Sequence, residues 1–180
     1  MKILYRTAQL EDIPALEELI PISARVLQSG YYSTEQLDAA IGTIFGVDSQ
    51  LIRDGTYFIA SVDGRIVGCG GWSQRKALYG GDRLKKAEDP LRDPLHDPAM
   101  VRAFFVHPDM ARKGIGRELL RLSEAGAAQA GFASIEIVAT LAGEPLYLAC
   151  GYVTVERYSI ECAEGLALPV VRMKKAAVSV

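Results

Sequence analysis

The stretch Thr56–Trp72, TYFIASVDGRIVGCGGW, constrains the fold more than any other part of the chain. Two runs rich in β-branched and aromatic residues flank Asp63-Gly64, a dipeptide that supplies positive φ to a tight hairpin turn. An antiparallel pair is therefore written into the chain. Gly68, Gly70 and Gly71 weaken the second run and predict a bulge or a close backbone approach there.

Other strands and helices follow from periodicity. Residues 3–8, ILYRTA, read as a short strand. Leu10, Ile13, Leu16, Leu19 and Ile20 then recur at helical spacing, with Asp12 as N-cap and Pro14 early in the helix. Pro21 is expected to kink or end that helix. Ser33-Thr34-Glu35-Gln36 has capping-box character and opens a second helix carrying Leu37, Ile41, Ile44 and Phe45. Downstream, MVRAFFVHP is a strand, RKGIGRELLRLSEAGAAQAGF a helix and SIEIVAT a strand. This strand–helix–strand order demands parallel neighbours, so the sheet is mixed. GEPLYLACG reads as a short helix ending at Gly151, followed by strands YVTVERYSIEC and LALPVVRMKK. Between hairpin and second-half strand, residues 73–98 include EDPLRDPLHDP, where each proline follows an aspartate. A residue before proline leaves the α region, so an extended or turn-rich excursion is expected, either a solvated loop or a lid or partner contact.

Composition excludes several classes. With 180 residues, 49% hydrophobic and 23% charged, the chain reads as one globular domain over residues 1–180 rather than a disordered or fibrous protein. A net charge of -2 argues against nucleic-acid binding over the whole surface. Cys69, Cys150 and Cys162 have no metal-ligand spacing and read as small core residues in a reducing compartment. No apolar run approaches the roughly 20 residues that span a bilayer, and the apolar start is too short for a signal peptide. The expectation is a cytoplasmic protein without metal.

Chemistry concentrates in VHPDMARKGIGRELL, residues 106–120. Arg102, Arg112, Lys113, Arg117 and Arg121 face only Asp109 and Glu118 between Val101 and Arg121, in a chain that is negative overall. Cations at a helix N-terminus oppose the helix dipole, and a bound anion would offset that. Bare N–H groups at a helix start, with glycines beside them, are what a phosphate needs. The P-loop pattern GxxxxGK[ST] is absent, and a dinucleotide GxGxxG would need glycine where Leu119 stands. A glycine-assisted structural turn is the remaining alternative.

The run Val106-His107-Pro108…Arg112-Lys113-Gly114-Ile115-Gly116-Arg117-x-Leu119-Leu120 resembles the acetyl-CoA-binding motif of the GCN5-related N-acetyltransferases (GNAT). Leu146-Tyr147-Leu148-Ala149-Cys150-Gly151-Tyr152 is similar to that family's tyrosine-bearing fourth helix and its Gly-aromatic step. The element order agrees over nearly the whole chain. The resemblance implies an α/β (α+β) fold: a mixed, mostly antiparallel twisted sheet of six to seven strands flanked by about four helices. It implies acetyl-CoA as co-substrate and transfer to a primary amine of a small molecule by direct attack in a ternary complex. An acyl-CoA-binding module without catalysis, and transfer to a protein or peptide amine, are the alternatives. A homodimer is compatible with terminal strands that could pair.

By position, the resemblance places the backbone of Phe104, Phe105 and Val106 beside the pantetheine arm. It wraps the amides of Arg112, Lys113, Gly114, Ile115, Gly116 and Arg117 around the pyrophosphate, and sets Tyr147 as acid toward the departing thiolate. Two positions depart from the pattern. Ala111 stands where Gln or Arg is usual, and Arg102 stands where many members carry a glutamate that activates the amine. A guanidinium cannot act as a base at neutral pH, so Arg102 is a candidate for holding a substrate carboxylate. Glu136, Glu144 and His96 are candidate bases, and His107 reads as a turn residue.

Overall fold

The computed structural model describes residues 2–77, 79–84 and 88–176. Its strands are β1 (Leu4–Thr7), β2 (Tyr57–Val62), β3 (Arg65–Ser73), β4 (Ala99–Val106), β5 (Ser134–Thr140), β6 (Val153–Ala163) and β7 (Leu166–Ala176). The helices are α1 (Ile13–Leu27), α2 (Thr34–Ala40), α3 (Ser49–Arg53), α4 (Ile115–Gln129) and α5 (Glu144–Ala149). One sheet holds all seven strands in the order β1-β2-β3-β4-β5-β7-β6. Only β4 and β5 run parallel; every other neighbouring pair is antiparallel. The mixed, mostly antiparallel sheet is thus the expected one, with one more helix than anticipated.

The hairpin turn is as its dipeptide requires, with φ of 48° at Asp63 and 81° at Gly64. Side-chain alternation sends the two faces of the sheet into separate apolar layers. Leu16, Leu19, Ile20 and Leu37 of α1 and α2 pack with Tyr57, Ile59, Phe105 and Val170 on one face. Leu119 of α4 packs with Ala60 and Val67 on the other, where Leu120 and Tyr147 meet Val101, Ile135 and Met173. The glycines of β3 permit the close contact of this second layer. A Cβ on Gly70 would lie 2.7 Å from the Phe104 ring, and one on Gly68 would lie 2.7 Å from Ile115 Cγ2. The β3–β4 register also shifts between Cys69 and Gly71, so bulge and close approach coexist. Gly70→Val should therefore displace Phe104 and cost about 1–3 kcal/mol, the usual range for overpacking. Chemical denaturation at constant m-value would measure it, and an unchanged midpoint would refute the contact.

Three local expectations change. Pro21 neither ends nor divides α1, which runs on to Leu27. Its ring forfeits one backbone bond, but Leu16, Leu19 and Ile20 before it and Ser23 and Ala24 after it bury a common face that holds the helix together. The Ser33–Gln36 capping box forms as expected, yet α2 stops at Ala40. Ile41 turns extended and Gly42 adopts φ 85°, so Ile44 and Phe45 sit in a turn, not on the helix. Phe45 still reaches the core, edge-on to Phe105 at 6.0 Å. The short helix α3, with the Asp48 carboxylate accepting from Gln50 N–H, has no counterpart in the sequence reading.

Candidate active site

A fork in the sheet makes the site. β4 and β5 pair only at Ala99–Ile135, Met100–Glu136 and Val101–Ile137. Two residues on, Ala103 has φ 57°, a conformation costly to any residue with a Cβ. The buried Tyr57 hydroxyl donates to the Ala103 carbonyl at 2.9 Å and holds the distortion in place. Past this point the strands diverge around a cavity of about 680 Å³. Phe104 and Val106 line one wall, and Ile137 to Thr140 line the other.

At one end lies the start of α4. Arg112 and Gly114 both take the left-handed conformation, φ 63° and 85°, and Ile115 is buried as an anchor. The first amides of a helix have no partner within it, and they carry the positive end of its dipole. Gly116 lies against α5: a Cβ there would come 3.1 Å from Leu146 Cδ2. The exposed Arg112 and Arg117 border the cavity along with Gly114, Ile115 and Gly116. Lys113 does not, because its ammonium donates to the Asp109 carbonyl at 2.9 Å. Among the β4 residues singled out, Phe104, Phe105 and Val106 all border the cavity, but the Val106 amide already donates to Ser23 Oγ at 3.1 Å.

Tyr147 borders the cavity, 4% exposed, on a helix whose N-terminal proline and following Gly151 set its limits. Its ring lies edge-on between Phe104 (6.3 Å) and Tyr152 (5.6 Å). Burial, with Cys150 beside it, pushes the phenol well above its ordinary value. Burial does the same to Tyr57 and Tyr152, and lifts Tyr32 and the Cys69 thiol to about 12 each. Below about pH 7.5 folded and unfolded chains both keep these protons, so this stability is fully present; in the unfolded chain the Cys69 thiol is the first to ionise and the phenols follow. As pH rises further the unfolded chain ionises first, and stability falls by about 1.4 kcal/mol per pH unit for each group. Tyrosinate absorbance and circular dichroism should therefore change together between about pH 10 and 12. Ionisation of the buried phenols near 10 in a folded chain would refute this.

The other end of the cavity is bounded by Tyr31, Ile44, Phe45, Tyr79 and Gly80. The loop carrying Tyr79 and Gly80 is pinned at four points. Gly80 O accepts from Arg102 at 2.7 Å, Gly81 N–H donates to Thr43 O at 2.8 Å, and Asp82 bonds Val47 O and Ser49 N–H. Arg102 itself is buried and ion-paired with Asp48 at 2.9 Å. The guanidinium expected to meet a substrate carboxylate thus holds one from its own chain.

None of the candidate bases borders the cavity. Glu136 pairs with Arg172 at 3.4 Å, Glu144 with Arg157, and exposed His96 with Asp93 at 2.7 Å. His107 caps the turn at Pro108–Met110, its Nδ1 accepting from Asp109 N–H at 3.3 Å. Sequence reasoning missed Gln28, Tyr31 and Tyr79 as cavity residues and Asp48 and Tyr57 as supports. Each lies far along the chain from the motif, and the Tyr31-Tyr32 pair was the one signal available.

Residues 53–154, more than half of the chain, match the family described as acetyltransferase (GNAT) domain. No curated protein sequence matches. Among solved structures, a GCN5-related N-acetyltransferase from Rhodopseudomonas palustris superposes with TM-score 0.72 at 21% identity, over 98% of this chain and 96% of that one. The PaiA N-acetyltransferase of Thermoplasma acidophilum, in complex with coenzyme A, gives 0.67 at 15%, covering 98% and 99%. YncA from Salmonella typhimurium, with its cofactor acetyl-CoA, gives 0.65 at 14%, covering 100% and 96%. No helix among the described residues is long and apolar enough to cross a membrane. The chain belongs to the GNAT family of acetyltransferases.

Proposed function

We propose that the protein moves acetyl from acetyl-CoA to the primary amine of a small molecule, by direct attack in a ternary complex within one domain. The observation that carries this reading is the continuity of the cavity, which joins the glycine-rich start of α4, Tyr147 and the Tyr31–Tyr79 end. In this reading the amides of residues 112–117 hold the pyrophosphate, reinforced by the Arg112 and Arg117 side chains. The backbone groups of Phe104–Val106 that β5 leaves unpaired, the Val106 amide apart, hold the pantetheine arm. The pinned 79–84 loop walls the acceptor end, which suits a small molecule better than a protein chain.

The amine nitrogen bonds to the thioester carbon, and the C–S bond breaks. The Tyr147 hydroxyl gives its proton to the leaving sulfur, and the proton lost by the new amide nitrogen restores the phenol through water. Burial keeps the phenol protonated at neutral pH, so the acid form is present, while the upward shift lowers the driving force for giving the proton up. Free-thiol release from acetyl-CoA across a panel of amines tests the proposal. Acetyl-CoA binding in a calorimeter with no thiol released from any amine would leave a binding module instead.

A further inference from the structure

Tyr79 and Gly80, which border the acceptor end, lie on the connection between β3 and β4, residues 74–98. A connection of this length is ordinarily mobile. Here it is tied down at two places far apart along the chain, and both ties end on α3. On the outgoing arm, Ser49 N–H donates to the Asp82 carboxylate at 3.0 Å, and Arg102 holds both Gly80 O and Asp48, the N-cap of α3. At the stem, Arg75 Nε and Nη2 donate to the two carboxylate oxygens of Asp54, the C-cap of α3, at 2.6 and 2.8 Å. Such a bidentate, charge-assisted pair is strong and fixes its own geometry. Arg75 Nη1 also donates to Asp89 O at 2.9 Å, which draws in the return arm. The stem closes beside it, with Lys76 N–H on Pro90 O and Arg92 N–H on Gln74 O.

Gln50 joins the two ties. It is buried within α3, its N–H donating to Asp48 Oδ1 at 3.2 Å and its Nε2 to Asp54 Oδ1 at 2.9 Å. A polar chain therefore runs from Arg102 through Asp48, Gln50 and Asp54 to Arg75. Arg102 borders the cavity and the other four do not. A helix as short as α3 does not stand alone in water, so α3 and the loop hold each other. Links of one buried polar network are coupled, and loss of one is felt at the others.

Resting on the acetyl-transfer reading above, we propose that Arg75 and Asp54 are positioning residues for the acceptor: through Gln50 and α3 they hold the Tyr79–Gly80 wall in its binding shape before the amine arrives. A wall already in place adds no ordering cost to binding. A wall released at its stem is ordered by the acceptor itself, and fixing one or two side chains on binding weakens affinity roughly three- to tenfold. In the same reading acetyl-CoA meets residues 112–117 and Tyr147, none of which belongs to the polar chain. The effect therefore falls on one substrate and spares the other.

The experiment follows thiol release well below the melting temperature, with whichever of benzylamine, phenylalaninamide and ethanolamine gives the largest kcat/KM. Arg75→Leu should raise the KM for that amine roughly three- to tenfold, while kcat and acetyl-CoA affinity hold within about twofold. Arg75→Lys keeps the charge but not the fork, and should fall between. The double variant Arg75→Leu, Asp54→Leu should recover the melting temperature lost by the single one and keep the raised KM, because an apolar pair restores packing but not the tie. It also carries the measurement if Arg75→Leu alone fails to fold. Hydrogen exchange gives a readout that needs no acceptor: the Gly81 and Asp82 amides, which donate to Thr43 O and Val47 O, should exchange faster along with those of Lys76 and Arg92. An unchanged KM, a KM restored together with the melting temperature, or loosening confined to Lys76 and Arg92 overturns the inference and leaves acetyl transfer standing. Thiol release from none of the three amines in the unmodified protein overturns the acetyl-transfer reading for such amines, and exchange at Gly81 and Asp82 still decides whether Arg75 holds the wall.

Discussion

Tyr147→Phe should lower turnover roughly 10²-fold, the low end of what one general acid supplies. The substitution removes only the hydroxyl. The ring keeps its edge-on contacts with Phe104 and Tyr152, so thermal stability and acetyl-CoA affinity should hold within error. That combination separates chemistry from packing, since a merely structural tyrosine would change the melting temperature and leave the rate alone. Stopped turnovers with acetyl-CoA at saturation, and calorimetry of acetyl-CoA binding, give the two numbers. Unchanged turnover would remove Tyr147 from the mechanism.

The second large effect lies at Arg102. Its guanidinium and the Asp48 carboxylate are both almost fully buried, with side chains 3% and 1% exposed. Arg102→Ala would leave a buried carboxylate without its counter-ion, at a cost of about 3–5 kcal/mol. For a chain of this size that is a fall in melting temperature of about 10 °C. Gly80 O also loses its donor, so KM for the acceptor should rise more than that for acetyl-CoA. The double variant Arg102→Met, Asp48→Leu should recover most of the stability, because an apolar pair can replace a buried ion pair at little cost. A loss below about 1 kcal/mol for the single variant would mean that the pair contributes no more than a surface one.

These two residues mark how much the sequence disclosed. Tyr147 was singled out through the resemblance of Leu146–Tyr152 to the family's tyrosine-bearing helix, and the structure sets it on the cavity wall. The Asp63-Gly64 hairpin, the Ser33 capping box and the parallel step through α4 were legible because each is decided within a few residues. Arg102 was visible as a departure from the family pattern, but its partner Asp48 was not. Their pairing depends on how the 42–49 turn folds over β4, which no local period encodes. The same applies to Gln28, which reaches the cavity only because α1 crosses β4. Pro21 misled for a related reason, since the loss of one backbone bond is a local cost and the buried face on both sides of it is a tertiary gain. Ala103 is the extreme case: nothing about an alanine announces a left-handed backbone, and the Tyr57 hydroxyl that stabilises it lies on another strand.

The narrow seam between β4 and β5 also bears on how the chain finds its fold. Each side of the seam holds one pair of neighbours closed by a two-residue connection, β2 to β3 on one side and β6 to β7 on the other. The seam instead joins Ala99 to Ile135 across the whole of α4. Tyr32 crosses farther still, donating to Pro169 O and accepting from Leu141 N–H. Loop-closure entropy makes such distant joins the slow ones, whereas hairpins form from local contacts. The cleft is then the boundary between two plates that each hold a local hairpin, and the neighbouring strands with the fewest ladder partners are also the ones that open onto the cavity.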